Sequence, residues 1–273
     1  MTAIRIWHQS VNELEHLEVY RRTLTAHAVA VMGEDAEVVL HGLPPGSYSG
    51  LSATVALSNA YVYHRILDRV VENAIDAERA GFDAFVIGSF SEPLLREIRS
   101  AVDIPVASLM ESALLVGCSL GKLLAPISNA PAIVWMVKTA VEKHGLGARV
   151  LEVQAIDPPL DEPALAAAYE HPAPVIDAFR RAAALAIAKG ADVIIPAEGV
   201  LAELLYAHGL RAVGAAPVMD VLGTTWAYAA MLARLWSRTG LRVGRSWHYR
   251  RDDPELIQRL HAAQARRDTA AGE

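Results

Sequence analysis

Two stretches of nine residues, GFDAFVIGS (Gly81–Ser89) and GADVIIPAE (Gly190–Glu198), decide how this chain folds. Each opens on glycine, has an aspartate two places on, runs through apolar residues and ends on a polar one. Gly81 and Gly190, Asp83 and Asp192, Ser89 and Glu198, and Leu95 and Leu204 all stand at one offset (190 − 81 = 109). Further on, Pro105-Val106 recurs as Pro217-Val218 at an offset of 112 (217 − 105), so the second copy carries a slightly longer loop. Each copy reads helix, glycine, strand, polar turn, helix and a strand with Pro-Val. A shared order of elements on that scale points to duplication. The apolar runs lack alternation, as expected of parallel strands covered by helices on both faces.

Outward from the repeat, short β-rich runs alternate with longer amphipathic ones. Strands are expected at Ile4–Trp7, Ala36–His41, Ala84–Gly88, Ile104–Ala107, Lys122–Ile127, Arg149–Ala155, Asp192–Pro196 and Ala212–Ala216. Helical patterns cover Asn12–Met32, Val55–Ala80, Leu94–Ala101, Ala132–His144, Val175–Ala188 and Met219–Ser237. The fold class is therefore α/β, with parallel sheets flanked by helices. Eight such units could close into a barrel; the repeat offset favours two pseudosymmetric halves with an active site in the cleft between them. The halves are expected at residues 1–118, with the last helix running to about 120, and 119–230, with 231–273 a C-terminal helical extension ending in a frayed tail from Gln264 to Glu273. Two loops exceed a minimal turn: His41–Gly50, rich in Pro and Gly, and Ile156–Pro174, which holds five prolines. Long loops at strand ends are more often functional than idle.

Composition sets the outer limits. The chain has 273 residues, 53% hydrophobic and 21% charged, and can bury roughly three quarters of its unfolded surface without staples. Its net charge of -6 argues against binding a nucleic-acid backbone. The longest apolar stretch, Ala113–Leu120, is far short of the roughly 20 residues a membrane span needs. No basic region with an apolar core and a cleavage site opens the chain, so the cytoplasm is the expected location. The single cysteine, Cys118, permits no intrachain disulfide and no multi-thiolate metal site. Ten histidines include no HxH or HxxxH spacing, so no metal is expected.

These segments resemble the aspartate/glutamate racemase superfamily, most closely its hydantoin racemase branch, over roughly residues 3 to 230. The likeness rests on IRIWHQS (4–10), DAFVIGSFSEPLLREIRSAVDIPVASLMESA (83–113), GADVIIPAEGVLAELL (190–205) and APVMD (216–220). It implies two pseudosymmetric α/β halves, a small-molecule substrate in the cleft and no metal or organic cofactor. In that family each half carries a motif of the form DxxVIxCFxDP or DVIVLGCAG, and the two cysteines face each other across the substrate's α-carbon. Here Ser89 stands at the first cysteine position and Glu198 at the second. Two-base proton transfer needs groups that titrate near working pH, which a thiol does and a serine hydroxyl does not.

Ser89 and Glu198 are the catalytic candidates; with the halves related by a pseudo-twofold axis, they are expected at equivalent strand ends, facing each other across the cleft. One chemistry is proton transfer at a carbon α to a carbonyl, with Glu198 as acid/base. Others are decarboxylation with Glu198 as proton donor, and hydrolysis of an amide or cyclic imide with Glu198 activating Ser89 or a water. A binding protein for small acids is the non-enzyme alternative. By the resemblance, His8, Gln9 and Ser10 in one half and Ser128 and Asn129 in the other hold substrate, and Phe90 and Gly199, next along the two turns, are counted with them. Plainer roles exist: Ser128 and Asn129 could cap a following helix, and His8 could be a satisfied strand-end histidine. Glu111 resembles an acid of the family, but a helix N-terminus explains it equally. Gly117–Gly121 matches a nucleophile elbow, but a helix precedes it and a strand follows, the reverse of what that motif needs. Trp226, Tyr228, Trp236, Trp247 and Tyr249 suit a core or a subunit interface, and a homo-oligomer is expected.

Overall fold

A computed structural model of the chain describes residues 3–251 together with 253, 255, 256, 259, 260, 262, 263 and 266. Apart from residue 266, the tail expected from Gln264 onward lies outside the described residues. The first half comprises β1 (Ile4–Ser10), α1 (Glu18–Met32), β2 (Ala36–His41), α2 (Ala53–Leu57), α3 (Ala60–Arg79), β3 (Ala84–Gly88), α4 (Leu95–Ala101), β4 (Val106–Ser108) and α5 (Leu109–Leu120). The second comprises β5 (Leu124–Ser128), α6 (Val134–Lys143), β6 (Gln154–Ala155), α7 (Glu162–Ala167), α8 (Ala173–Ala188), β7 (Val193–Pro196) and α9 (Gly199–Ala207). The short strands β8 (Ala212–Val213) and β9 (Ala216–Pro217) follow, then α10 (Val221–Thr239).

The strands form two open parallel sheets, ordered β2-β1-β3-β4 and β6-β5-β7, so no barrel closes. A parallel bridge between Ile194 and Val218 adds a fourth position beside β7. In the first sheet Phe85 pairs with Val106; Ile194 and Val218 lie 109 and 112 positions later (194 − 85 and 218 − 106). The repeat is therefore a repeat of strand register. Its glycines have a structural cause, since Gly81 (φ +76°) and Gly190 (φ +96°) take the left-handed conformation after α3 and α8. Its aspartates do too. Asp83 accepts the Arg5 amide (2.8 Å) and Asp192 the amides of Lys122 and Leu123 (2.8 and 3.0 Å), so each pins the chain at the first strand of its own half.

The halves are not cleanly separable. The expected boundary at 118/119 falls inside α5 and that at 230/231 inside α10. The helix α10 packs back on α5, β1, β3 and β4 of the first half. Its Trp226 is fully buried and donates Nε1–H to His8 Nδ1 on β1 at 3.1 Å. Across the molecule, His27 on α1 bonds Glu203 on α9 (2.7 Å) and Asp220 at the head of α10 (2.9 Å). No helix of the described residues is long and apolar enough to cross a membrane.

Several expected elements differ: β4 begins at Val106 rather than Ile104, and the loop expected at Ile156–Pro174 contains α7 and the start of α8. The helix expected from Asn12 starts at Glu18, because the Glu13 carboxylate is engaged by the amides of Gly46 and Tyr48 and holds the Pro/Gly loop. Val55–Ala80 divides at Ser58-Asn59, where Asn59 caps α3 by accepting the amides of Tyr61 and Val62. Of Arg149–Ala155 only Gln154–Ala155 is strand, and a 3-10 turn, Gly147–Arg149, ends at the first of these residues. Ala212–Ala216 is reversed at Gly214 (φ +58°) into an antiparallel pair.

Candidate active site

Parallel α/β sheets bind ligands beyond the carboxyl ends of their strands. There, between the halves, lies a cleft of about 520 Å³ including its open mouth. Ser89 and Phe90 reach it from the end of β3, and Ala197, Glu198 and Gly199 from the end of β7. Leu57, Ile133, Met136 and Val137 make its wall apolar, and no lysine, arginine or histidine lines it among the described residues.

Glu198 is the N-cap of α9. Its backbone is extended (φ −155°, ψ 140°), and its carboxyl oxygens accept the amides of Val200 (3.0 Å) and Leu201 (2.6 Å). Those bonds satisfy amides that the helix itself leaves free. The side chain is nevertheless buried. Desolvation, and next the nearby Glu162 charge, outweigh the backbone bonds and push its pKa up to about 8.

Ser89 has a different setting. Its Oγ lies 2.9 Å from Ser91 Oγ and accepts the Ser91 amide at 3.3 Å. No base among the described residues bonds to it. The turn that carries it is anchored by Glu92, at the acidic position of the SFSEP run and at φ +48°. The Glu92 carboxylate accepts from Ser108 Oγ, the Glu111 amide (2.9 Å), His144 Nε2 (2.6 Å) and Lys143 Nζ (3.1 Å). Burial opposes its charge, but His144 and Lys143 outweigh burial and hold its pKa below the ordinary range. Glu111 sits in the first turn of α5 and pairs with Arg99, so the helix-terminal role comes with an ion pair.

The other expected ligand positions divide. Phe90 and Gly199 line the cleft. His8, Gln9, Ser10, Ser128 and Asn129 are fully buried and do not. Burial, then His41, depresses His8 to a pKa of about 3. Since its Nδ1 accepts from Trp226, its proton is on Nε2, which has no partner and faces Gly88. Gln9 is taken up by Trp7, Asn73 and the Ser10 carbonyl, and Ser10 Oγ accepts the Asn12 amide. That loop reaches the cleft through Val11 and Asn12. Asn129 caps no helix. It donates to Thr54 Oγ1 (3.3 Å) and the Leu160 carbonyl (2.8 Å), and Ser128 donates to Asn129 Oδ1.

A residue not among the expected ones also lines the cleft. Glu162, at the start of α7, accepts the Thr54 amide (3.1 Å) and Thr54 Oγ1 (2.6 Å), which ties the long loop to α2. The helix start was legible in Asp161-Glu162-Pro163, because Asp161 caps it by accepting the Ala164 amide. The direction in which Glu162 points had no signal in the pattern.

The Asp/Glu/Hydantoin racemase family model matches residues 17–232. The chain belongs to this racemase family. A curated relative, hydantoin racemase of Pseudomonas sp. (strain NS671), is 27% identical over 99 residues, 36% of this chain and 40% of that protein's length. Among solved structures, allantoin racemase from Klebsiella pneumoniae superposes with a TM-score of 0.70 at 18% identity, covering 92% of this chain and 94% of the other. Allantoin racemase from Pseudomonas fluorescens gives 0.68 at 22% identity, covering 92% and 98%. These likenesses establish the racemase fold and agree with the two-half arrangement.

Proposed function

We propose that the cleft removes and returns a proton at a carbon next to a carbonyl in a small, uncharged substrate, an isomerisation of racemase type without a thiol. The observation that carries this reading is Glu198: a buried carboxyl at the end of β7, in the open cleft, fixed by two backbone amides and titrating near neutrality. A group with that pKa works as base and as acid at ordinary pH. As carboxylate it accepts the α-proton while the C–H pair passes into the carbonyl, giving an enolate. As acid it returns a proton to that carbon, and the configuration inverts when the planar enolate has first turned its other face to Glu198. Ser89, with a hydroxyl proton to give, is suited to hydrogen-bond the developing oxyanion.

Two alternatives have less support. Hydrolysis through Ser89 needs a base on its hydroxyl, and its partner is Ser91. Decarboxylation of a malonate needs a counter-charge for the carboxylate that stays behind, and the described lining offers two carboxyls and no cation. The acidic lining likewise favours cyclic ureides or imides over amino dicarboxylates.

The test is NMR in D2O with 5-substituted hydantoins, allantoin, cyclic imides and 2-substituted malonates. Deuterium should enter at the carbon α to the carbonyl of a neutral compound, and Glu198→Gln should slow that exchange by about 100-fold or more. Exchange at the wild-type rate in Glu198→Gln sinks the reading. So does CO2 release or ring opening as the sole reaction.

A further inference from the structure

Glu162 has a position that Glu198 lacks. It lines the cleft and also a second hollow of about 370 Å³ including its open mouth, beside the start of α2 and walled by Glu13, His16 and Tyr48. Asn12, Ala53 and Glu162 line both, and Glu162 is the titratable one of the three. Its carboxylate is held by Thr54 through backbone and hydroxyl at the first turn of α2. Glu198 is held equally firmly at the first turn of α9.

No cation among the described residues of the cleft lining offsets the two charges. Tyr20 on α1 and Tyr169 after α7 are buried phenols pushed up by desolvation and nearby carboxyls, so they stay neutral. Glu203 on α9 is taken up by His27, and Asp161 caps α7. Beyond the partition Tyr48 is a phenol pushed up by burial, and His16 pairs with Glu13 at 3.2 Å. Two carboxylates in such a place cannot both ionise cheaply.

We propose that Glu162 and Glu198 hold one proton between them, and that Glu162, on the partition, passes protons between Glu198 and the solvent of the second hollow. The relay rests on the proton-transfer reading above; the shared proton does not. With the proton on Glu162, Glu198 is the ionised base. Abstraction forms an O–H bond on Glu198 and an enolate, so the single negative charge moves from the pair to the substrate. Glu162 then gives its proton to water in the second hollow and takes the one from Glu198 through water in the cleft, and the substrate's proton leaves. A proton moving the other way resupplies Glu198 as acid. A substrate bearing its own carboxylate would add a second charge, which the pair disfavours.

Carbon-13 NMR of protein labelled at its glutamate carboxyls tests the shared proton. In the wild type both carboxyl carbons should record both titration steps, and Glu162→Gln should lower the Glu198 midpoint by about one unit or more. Single-step independent curves, or an unmoved midpoint, overturn it; the wild-type curves decide even if the variant does not fold. The relay is read from 5-benzylhydantoin deuterated at C5 and turned over in H2O. Slower exit in Glu162→Gln should raise the deuterium kept in the racemised product at least twofold. A lowered rate with unchanged retention means that Glu162 is structural and overturns the relay. If the wild type leaves C5 deuterium in place while the titrations are coupled, the pair stands and the catalytic reading falls with the relay.

Discussion

Glu198 is stabilised in its charged form by two amides and destabilised in it by burial beside Glu162, and burial wins. The consequence for stability has a definite sign. A carboxyl whose pKa is raised on folding binds its proton more tightly in the native state, so its contribution is full at low pH. It is lost as pH rises from about 4.5 to about 8. In Glu198→Gln that loss should vanish, and the variant should gain on the wild type in melting temperature between pH 5 and 8. A difference independent of pH would contradict the assignment. Gly88 makes a second case at this scale. A Cβ there would lie 2.6 Å from His8 Nε2 and 2.9 Å from the Gln9 carbonyl, both in the packed first sheet. Gly88→Ala should cost about 1–3 kcal/mol in urea unfolding, through displacement of β1 from β3. Chemical type at Ser89 and Glu198 was legible from the repeat because the offset is a property of the chain. The partners of His8 and Asn129 were not, since Trp226 and Thr54 lie far away in sequence.

Among the elements, the turn after β3 shows how a short loop is anchored to two helices. It is short and has left-handed residues at Glu92 and Leu94, yet Glu92 joins it to the start of α5 and the end of α6. Glu92 is buried while Lys143 and His144 are partly exposed, so the charges left behind stay solvated and Glu92→Gln should destabilise by about 1–3 kcal/mol through weakened hydrogen bonds. Activity should fall as well, because Ser89 is carried on that turn. A chemical denaturation midpoint at the wild-type value would show that the network contributes little. The same scale explains which elements the pattern missed. Apolar periodicity marked β3, β7, α1 and α8, but one periodic stretch was cut in two by the capping of Asn59, and one strand became the β8–β9 pair. Capping and reversal are set by a few polar atoms and one glycine, which apolar period does not register.

For the whole molecule, the halves are tied by α10 and by His27. Burial opposes the charge on His27, but bonds to Asp220 and Glu203 outweigh it and raise its pKa. A histidine with a raised pKa stabilises fully below its unfolded value of about 6.5, and the contribution is lost as pH rises through the folded one. The difference in melting temperature between wild type and His27→Gln should therefore be greatest near pH 5–6 and narrow toward pH 9; a difference that widens with pH would contradict the clamp. By itself the sequence determined the α/β class, the duplicated strand register and the strand ends that carry Ser89 and Glu198. Those follow from apolar runs, glycine conformation and chain offsets, all of which are local. Tertiary structure alone decided that α10 returns to the first sheet, that His8 and Asn129 support the site from behind, and that Glu162 stands in the cleft. Each of these depends on where a long connection closes, and closure is set by the summed burial of the whole core rather than by any residue's neighbours in sequence.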